Sequence, residues 1–517
     1  MRIIKTFLFL FIFCQVISAA NTQPNIIFIL ADDLSYRDLS CYGQQVYKTP
    51  NLDKLAEQGV RFTQAYSASA ECAPARGSLM TGLHTGHGPI RVNSSARGQD
   101  HLKDSDITIA EALKKEGYMC GFAGKWGIGQ PGTEGVPYKQ GFDYTFGYYD
   151  QVRAHTYIPD YLWENDRKIL YPQNKGFNMQ KRYDINKGIE LEQYHNTYNE
   201  NGELYIEELK DPYGFTYSET EVQKATLKFI TQNSKQPFFF YYATQLPHGP
   251  VIADNMRDLK DLNEIPQPNR EWAAMVQALD DFTGKLVDTL KALKIYDNTI
   301  IFFASDNGYA QAGYLARGNA PKWPDDPYFK NKGPFTGGKF SVLEGGCRIP
   351  FFVSCPAKFK ASVKSQPVWL PDFFPTALEL AKANNTYQTD GKSLLALMEG
   401  RNDDYQSHPY LYFSKARQQA VRMGPWKAFR AAPTAKMNLF LVEEDTYGKR
   451  NLAEIYPEIV KQIEEIMEKE HTPHEWYWNP WETAEEYKAK QTRAKETGNK
   501  LQVIRPNNLE KLPWEKD

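Results

Sequence analysis

Four short stretches of this 517-residue chain are apolar without a break, and each runs into polar or charged residues. Ile26–Leu30 leads to Asp32 and Asp33, Met119–Ala123 to Lys125, Phe238–Ala243 to His248, and Ile300–Ala304 to Asp306 and Asn307. Continuous rather than alternating hydrophobicity marks strands buried on both faces, as in parallel sheets covered by helices. Helical segments lie between some of them. One starts at Thr49-Pro50, with Thr49 placed to cap, and ends at Gly59. Ile107–Lys115 reads as another, stopped by Gly117, and Trp272–Leu293 is a longer one with apolar residues at helical spacing. The alternation predicts an α/β fold around a large, mostly parallel sheet.

The pattern changes twice. Residues 150–235 are rich in Tyr, Asn, Lys and Gly with weak periodicity, and read as an insertion that walls a pocket. From about residue 405, short strand-like pieces (Tyr410–Phe413, Gln419–Met423, Trp426–Arg430) precede a charged helix near Pro457–Lys469. This predicts a smaller α+β C-terminal subdomain over 405–517, after a catalytic domain over 21–404.

Composition excludes whole classes. With 41% hydrophobic and 24% charged residues, the chain is neither disordered nor fibrous. A formal net charge of −2 offers no basic field for nucleic acid. Residues 1–20 read as a signal peptide: Arg2 and Lys5 are basic, Phe7 to Phe13 are apolar, and Ser18, Ala19 and Ala20 give a small-residue cleavage site. The apolar run is too short to cross a bilayer, and bulky Phe13 argues against a lipid anchor on Cys14. The expectation is export to the periplasm or outside the cell, with no stable membrane span. Cys41, Cys72, Cys120, Cys347 and Cys355 then remain, and Cys347 and Cys355 are a candidate disulfide pair.

In open parallel sheets, ligands bind beyond the carboxyl ends of the strands. The four runs therefore bring Asp32, Asp33, Lys125, His248, Asp306 and Asn307 to one edge. Three carboxylates crowded together repel and favour a cation between them. Their all-oxygen donor set, with Asn307, suits Ca²⁺ or Mg²⁺ better than Zn²⁺. Cys72 lies in Glu-Cys-Ala-Pro-Ala-Arg-Gly-Ser, where Pro74 marks a helix start. A group there faces backbone N–H donors, and Arg76 adds a fixed positive charge, so position 72 is an anion-binding niche.

Cys72-Ala73-Pro74-Ala75-Arg76 resembles the signature of the type I sulfatases of the alkaline phosphatase superfamily. Further elements agree in order and spacing over roughly residues 24–455. They are Asn25 to Asp33, Gly124-Lys125-Trp126, Pro247-His248, Ser305-Asp306-Asn307-Gly308, Gly337-Gly338-Lys339, and Glu344-Gly345-Gly346-Cys347-Arg348-Ile349-Pro350. The resemblance implies an alkaline-phosphatase-like sandwich and hydrolysis of a sulfate ester. It implies that a maturation enzyme converts Cys72 to Cα-formylglycine, whose hydrate attacks sulfur. Asp32, Asp33, Asp306, Asn307 and the oxygen at position 72 then hold the cation, Ca²⁺ ahead of Mg²⁺. Arg76 steadies the hydrate, Asp306 serves as base, Lys125 and Lys339 neutralise sulfate oxygens, and His248 is the general acid. The expected substrate is a sulfated carbohydrate, such as a galactose- or N-acetylgalactosamine-type hexose.

One departure stands out. The family often has His after Gly-Lys-Trp, where this chain has Gly127. His155 is the candidate replacement or substrate contact. Two other readings stay open on sequence alone: a phosphomonoesterase or phosphodiesterase of the same superfamily, and a non-catalytic glycan-binding protein with an unconverted thiol. His84 and His87 are expected to be structural or at a pocket rim, and the aromatic run 474–481 to pack the tail.

Overall fold

The computed structural model describes residues 23–501 apart from 176, 178–195, 311–324, 385 and 447. The signal-peptide residues therefore lie outside the described residues. Among those described, no helix is long and apolar enough to cross a membrane.

A ten-stranded sheet runs through the larger domain. Its order is Ser362–Lys364, Val60–Phe62, Phe351–Ser354, Thr299–Ser305, Asn25–Ala31, Phe238–Ala243, Met119–Lys125, Tyr144–Tyr148, Tyr161–Glu164 and Arg167–Leu170. The five strands from Thr299–Ser305 to Tyr144–Tyr148 are parallel, and antiparallel pairings join strands on either side. All four apolar runs are central strands. Ile27, Ile29 and Ala31 face one hydrophobic core, while Ile26, Phe28 and Leu30 face another. Burial on both faces is the reason these strands do not alternate.

The first core is closed by helices Pro50–Glu57, Ser218–Asn233 and Gln267–Ala292, and the second by Cys72–Thr81, Ile109–Lys115 and Phe373–Leu380. The helix at Thr49 forms where expected, but Thr49 does not cap it: its hydroxyl donates to Asp53 Oδ1 at 3.1 Å instead. Thr108 caps the third segment in a reciprocal box with Glu111, two residues later than the predicted start. Within 150–235, Tyr161–Glu164 and Arg167–Leu170 extend the sheet, and helix Ser218–Asn233 buries Phe229 and Ile230 against it.

Strands Leu411–Lys415, Gln418–Met423, Trp426–Arg430 and Asn438–Leu441 form a separate antiparallel sheet, backed by helix Pro457–Lys469 through Ile463 and Met467. Leu411, Phe413 and Ala420 of this sheet pack on Tyr66, Ala68 and Ala70, the segment leading to Cys72. In the run 474–481, Trp476 and Tyr477 are buried and Trp478 stacks on Tyr487 of helix Ala484–Glu496. The candidate disulfide does not form. Cys347 and Cys355 are free, buried thiols. The extended strand Phe351–Ser354 between them carries them apart.

Candidate active site

Strand register builds the site. Ala31 pairs with Ser305, so Asp32 and Asp306 leave neighbouring strands at the same level. Leu30 pairs with Ala243 and Ala243 with Gly124, which brings the His248 loop and Lys125 to the same edge. Asp33 takes a left-handed backbone with φ of 65°. Its N–H donates to Asp306 Oδ1 at 3.1 Å.

Helix Cys72–Thr81 starts at this edge, with Glu71 before it and Gly82, φ 71°, ending it. Cys72 Sγ lies 3.4 Å from Asp32 Oδ1 and 3.7 Å from Asn307 Oδ1. Asp32, Asp33, Cys72 and His248 each offer a ligand atom, all within 4.8 Å of one another. The Asn307 amide donates to Asp33 Oδ1 at 2.7 Å, which leaves its oxygen facing the sulfur.

Three cations surround the acids. Lys125 Nζ is 2.7 Å from Asp32 Oδ2, and Lys339 Nζ is 2.8 Å from Asp33 Oδ2. Arg76 reaches both Asp306 Oδ2, at 2.8 Å, and Asp32 Oδ2, at 3.3 Å, and donates to the Lys125 carbonyl. All these side chains are buried. Burial alone raises the Asp32 carboxyl, but Lys125, His248 and Arg76 outweigh it and hold it well below the usual range. Asp306 goes the other way: burial raises it and the Asp32 carboxylate raises it further, against the pull of Arg76. Burial pushes the Cys72 thiol far up, and Asp32 adds to the rise. An unconverted Cys72 is therefore a protonated, weak nucleophile. The Asp32 and Asp33 carboxylates gather with Cys72 at one buried point, with Asn307 Oδ1 beside the sulfur and Asp306 Oδ1 held against the Asp33 N–H. This hard-oxygen set fits a divalent cation such as Ca²⁺.

His248 is buried beside the lysine-paired acids. Its Nδ1 faces the Gly249 carbonyl, which requires a proton on Nδ1. Nε2 then points at Lys339 Nζ, 3.3 Å away, and at Asp33 Oδ2, 3.4 Å away. Burial depresses its pKa to about 4, so the ring is neutral near pH 7 with Nε2 as acceptor. His155 stacks on it, ring centroids 4.5 Å apart and planes 12° from parallel. His155 Nε2 is buried without a hydrogen bond. Burial, helped by His248 and Lys125, keeps this ring neutral as well.

All the residues the sequence proposed for the site thus come together, His155 through its stack on His248. Sequence reasoning missed Gln151. Gly127 has φ of 76°, and a Cβ there would meet Gln151 Oε1 at 2.6 Å and Arg76 Cδ at 3.5 Å. The space opened by the glycine is filled by an amide from 24 positions later, which no local pattern signals. Ser67 was also missed; its hydroxyl donates to the Asp306 carbonyl at 2.6 Å.

The remaining motif residues are scaffolding. Trp126 Nε1 donates to the Gly135 carbonyl at 2.8 Å and anchors the loop after Lys125. Arg348 pairs with Glu344 at 3.1 Å and donates to the Tyr66 hydroxyl. A Cβ on Gly346 would meet the Ser341 carbonyl at 2.0 Å, so this turn packs backbone on backbone. His84, His87 and Asp390 form a second group close enough to hold an ion. However, His84 Nδ1 accepts the Gly86 N–H at 3.0 Å, so Nε2 carries the proton and donates to Glu470, 3.3 Å away. His84 thus ties the end of the Cys72 helix to the C-terminal subdomain.

Comparison with known proteins gives a consistent result. The family model described as Sulfatase matches residues 24–383. An N-acetylgalactosamine-6-O-sulfatase of Bacteroides thetaiotaomicron is 28% identical, the match covering 87% of this chain and 94% of that protein. The human N-acetylgalactosamine-6-sulfatase is 31% identical over 80% of this chain and 72% of its own length. Among solved structures, Ps i-CgsB in complex with k-i-k-neocarrahexaose superposes with a TM-score of 0.68 at 28% identity, covering 93% of this chain and 100% of that one.

Proposed function

The chain belongs to the sulfatase family, and from that premise we propose that it removes sulfate from a sulfated carbohydrate, with Cys72 converted to Cα-formylglycine at the reacting centre. The observation that carries this reading is Cys72 Sγ at a helix N-terminus, 3.4 Å from Asp32 and 3.7 Å from Asn307. The buried thiol is itself a poor nucleophile, which is a physical reason for converting it. Cys72 is fully buried, so a maturation enzyme meets it before the chain folds. That step, export from the cytoplasm and the ion's identity as Ca²⁺ are parts of the same proposal.

Asp32, Asp33, Asp306 and Asn307, with the oxygen at position 72, would hold the ion. Bound there, it supplies positive charge to a sulfate oxygen and to the nucleophile. The aldehyde hydrate supplies one hydroxyl to attack sulfur and a second to release the sulfate. The rest is done by the chain's own side chains. Lys125 and Lys339 place two ammonium groups where sulfate oxygens arrive, in a site closed to water. Arg76 fixes Asp306, the carboxylate placed to take the proton of the attacking hydroxyl. An incoming sulfate ester brings negative charge beside His248 and draws Lys339 from its Nε2. Both effects raise the imidazole's proton affinity from its depressed resting value, the direction that a general acid for the leaving oxygen requires.

The named relatives support an N-acetylgalactosamine-type hexose carrying the ester, with a galactose-type hexose as the other candidate, and the neighbour solved with k-i-k-neocarrahexaose supports a carbohydrate. The test is to assay converted enzyme on 6-O-sulfated N-acetylgalactosamine and galactose, their 4-O-sulfated isomers, and the corresponding phosphate esters. Preferential turnover of a hexose sulfate supports the reading. Faster hydrolysis of the phosphate esters would move the chain to the phosphoesterase branch of the superfamily.

A further inference from the structure

Phe340 follows Lys339 directly, and the residue is 45% exposed. It belongs to no hydrophobic core and stacks on no aromatic ring among the described residues. Its backbone has φ of 71°, the left-handed region that bulky side chains rarely adopt. A glycine would take this conformation freely. The structure instead holds a phenylalanine there from two sides. Its N–H donates to the Ala70 carbonyl at 2.8 Å, two residues before Cys72. Its carbonyl accepts from Gln418 Nε2 at 3.4 Å, in the first hairpin of the C-terminal sheet.

The ring stands at the edge of the reacting centre. Lys339 Nζ is 5.5 Å from its centroid, and that same nitrogen is 3.3 Å from His248 Nε2. Lys415 Nζ lies 5.6 Å from the centroid and pairs with Glu71, just before Cys72, at 3.2 Å. A strained backbone, an exposed aromatic residue and two ammonium groups over its ring meet at one point beside the leaving-group acid. Strain of this kind is kept where it serves a site.

We propose that Phe340 is the stacking platform for the sugar ring that carries the sulfate ester. The apolar C–H face of a hexose lies on the ring while its ester reaches past Lys339, and hairpin 411–423 of the C-terminal subdomain holds the platform in place. This rests on the sulfatase reading above and adds the element that grips the sugar rather than the sulfate.

Phe340→Gly removes the ring and relieves the backbone, so the variant folds. Phe340→Tyr keeps an aromatic face. With a hexose sulfate that the native enzyme hydrolyses, the Gly variant is expected to raise KM about tenfold, the scale of truncating an aromatic anchor. The Tyr variant is expected to restore it. The inhibition constant of inorganic sulfate, which fills the anion site alone, is expected to stay within about twofold in both, since the transferred binding energy lies in the sugar. An unchanged KM in the Gly variant would overturn the platform, as would a sulfate inhibition constant that rises by the same factor. If native enzyme with a converted residue 72 turns over no hexose sulfate, the sulfatase reading itself fails; loss of the platform alone leaves native turnover intact.

Discussion

Arg76 lies along Asp306, with Nε at 3.2 Å and Nη2 at 2.8 Å from the same carboxylate oxygen. Both residues are fully buried, 230 positions apart, and Arg76 also holds the Lys125 carbonyl. This one guanidinium joins the helix of Cys72 to two strand ends. Burial works against its charge, but Asp306 and Asp32 keep it protonated.

Arg76→Met would leave Asp306 buried and short of a partner. The expected cost is about 3–5 kcal/mol of folding stability, with activity lost in the fraction that still folds. Urea denaturation followed by circular dichroism checks it. A cost below about 1 kcal/mol would mean that the pair is not holding the site together.

Residue 72 is expected to be an aldehyde in active protein. Its peptide should be lighter than the cysteine form by the exchange of H₂S for O in mass spectrometry. Protein folded without maturation should retain the thiol and stay inactive when the maturation enzyme is added afterwards, because Cys72 has no exposed surface. Turnover by a preparation that carries only thiol at this position would contradict the mechanism.

His248→Gln should separate good from poor leaving groups. A sugar alkoxide needs a proton as it departs, whereas a nitrophenolate does not. The loss of kcat is expected to be on the order of 10²–10⁴ for a hexose sulfate and far smaller for 4-nitrophenyl sulfate. Equal losses on both would assign His248 to binding or to site structure instead.

Removing the divalent ion should cost stability as well as activity. Asp32 and Asp33 share one buried point with Asp306 linked to the Asp33 N–H, and a cation bound only by the folded form stabilises it by about 2.7 kcal/mol at a hundredfold excess over Kd. Chelation should lower Tm, and added Ca²⁺ should restore it in native protein but less in Asp33→Asn. A Tm that ignores chelator and Ca²⁺ alike would argue against an ion here.

Glu470 gives a separate test at the junction of the domains. Hydrogen bonds from His84 and from the Tyr410 hydroxyl hold its pKa at about 2, against an ordinary 4.5. A depressed carboxylate contributes its full stabilisation above about pH 4.5 and loses it as pH falls toward about 2. Native protein should lose stability through that window, and Glu470→Gln should be less stable at neutral pH with a shallower acid decline. Parallel pH–stability curves for the two would rule this contribution out.

The sequence by itself determined the elements. Unbroken apolar runs are local signals, so four central strands and the polar residues that end them were legible, as was the helix around Pro74, which the structure starts at Cys72 itself rather than just after it. Hard-oxygen chemistry followed from residue types alone. Only the tertiary structure decided how these pieces meet. Lys339 reaches Asp33 across 306 positions and Asn307 reaches it across 274, contacts that depend on strand register and on packing against both sheet faces. The Nδ1 proton of His248, the amide of Gln151 beside Gly127, the separation of Cys347 from Cys355 and the exposure of Phe340 are of the same kind. Each is set by neighbours distant in the chain or by backbone geometry, and a window of sequence carries the propensity of its own residues but not the identity of what will lie against them.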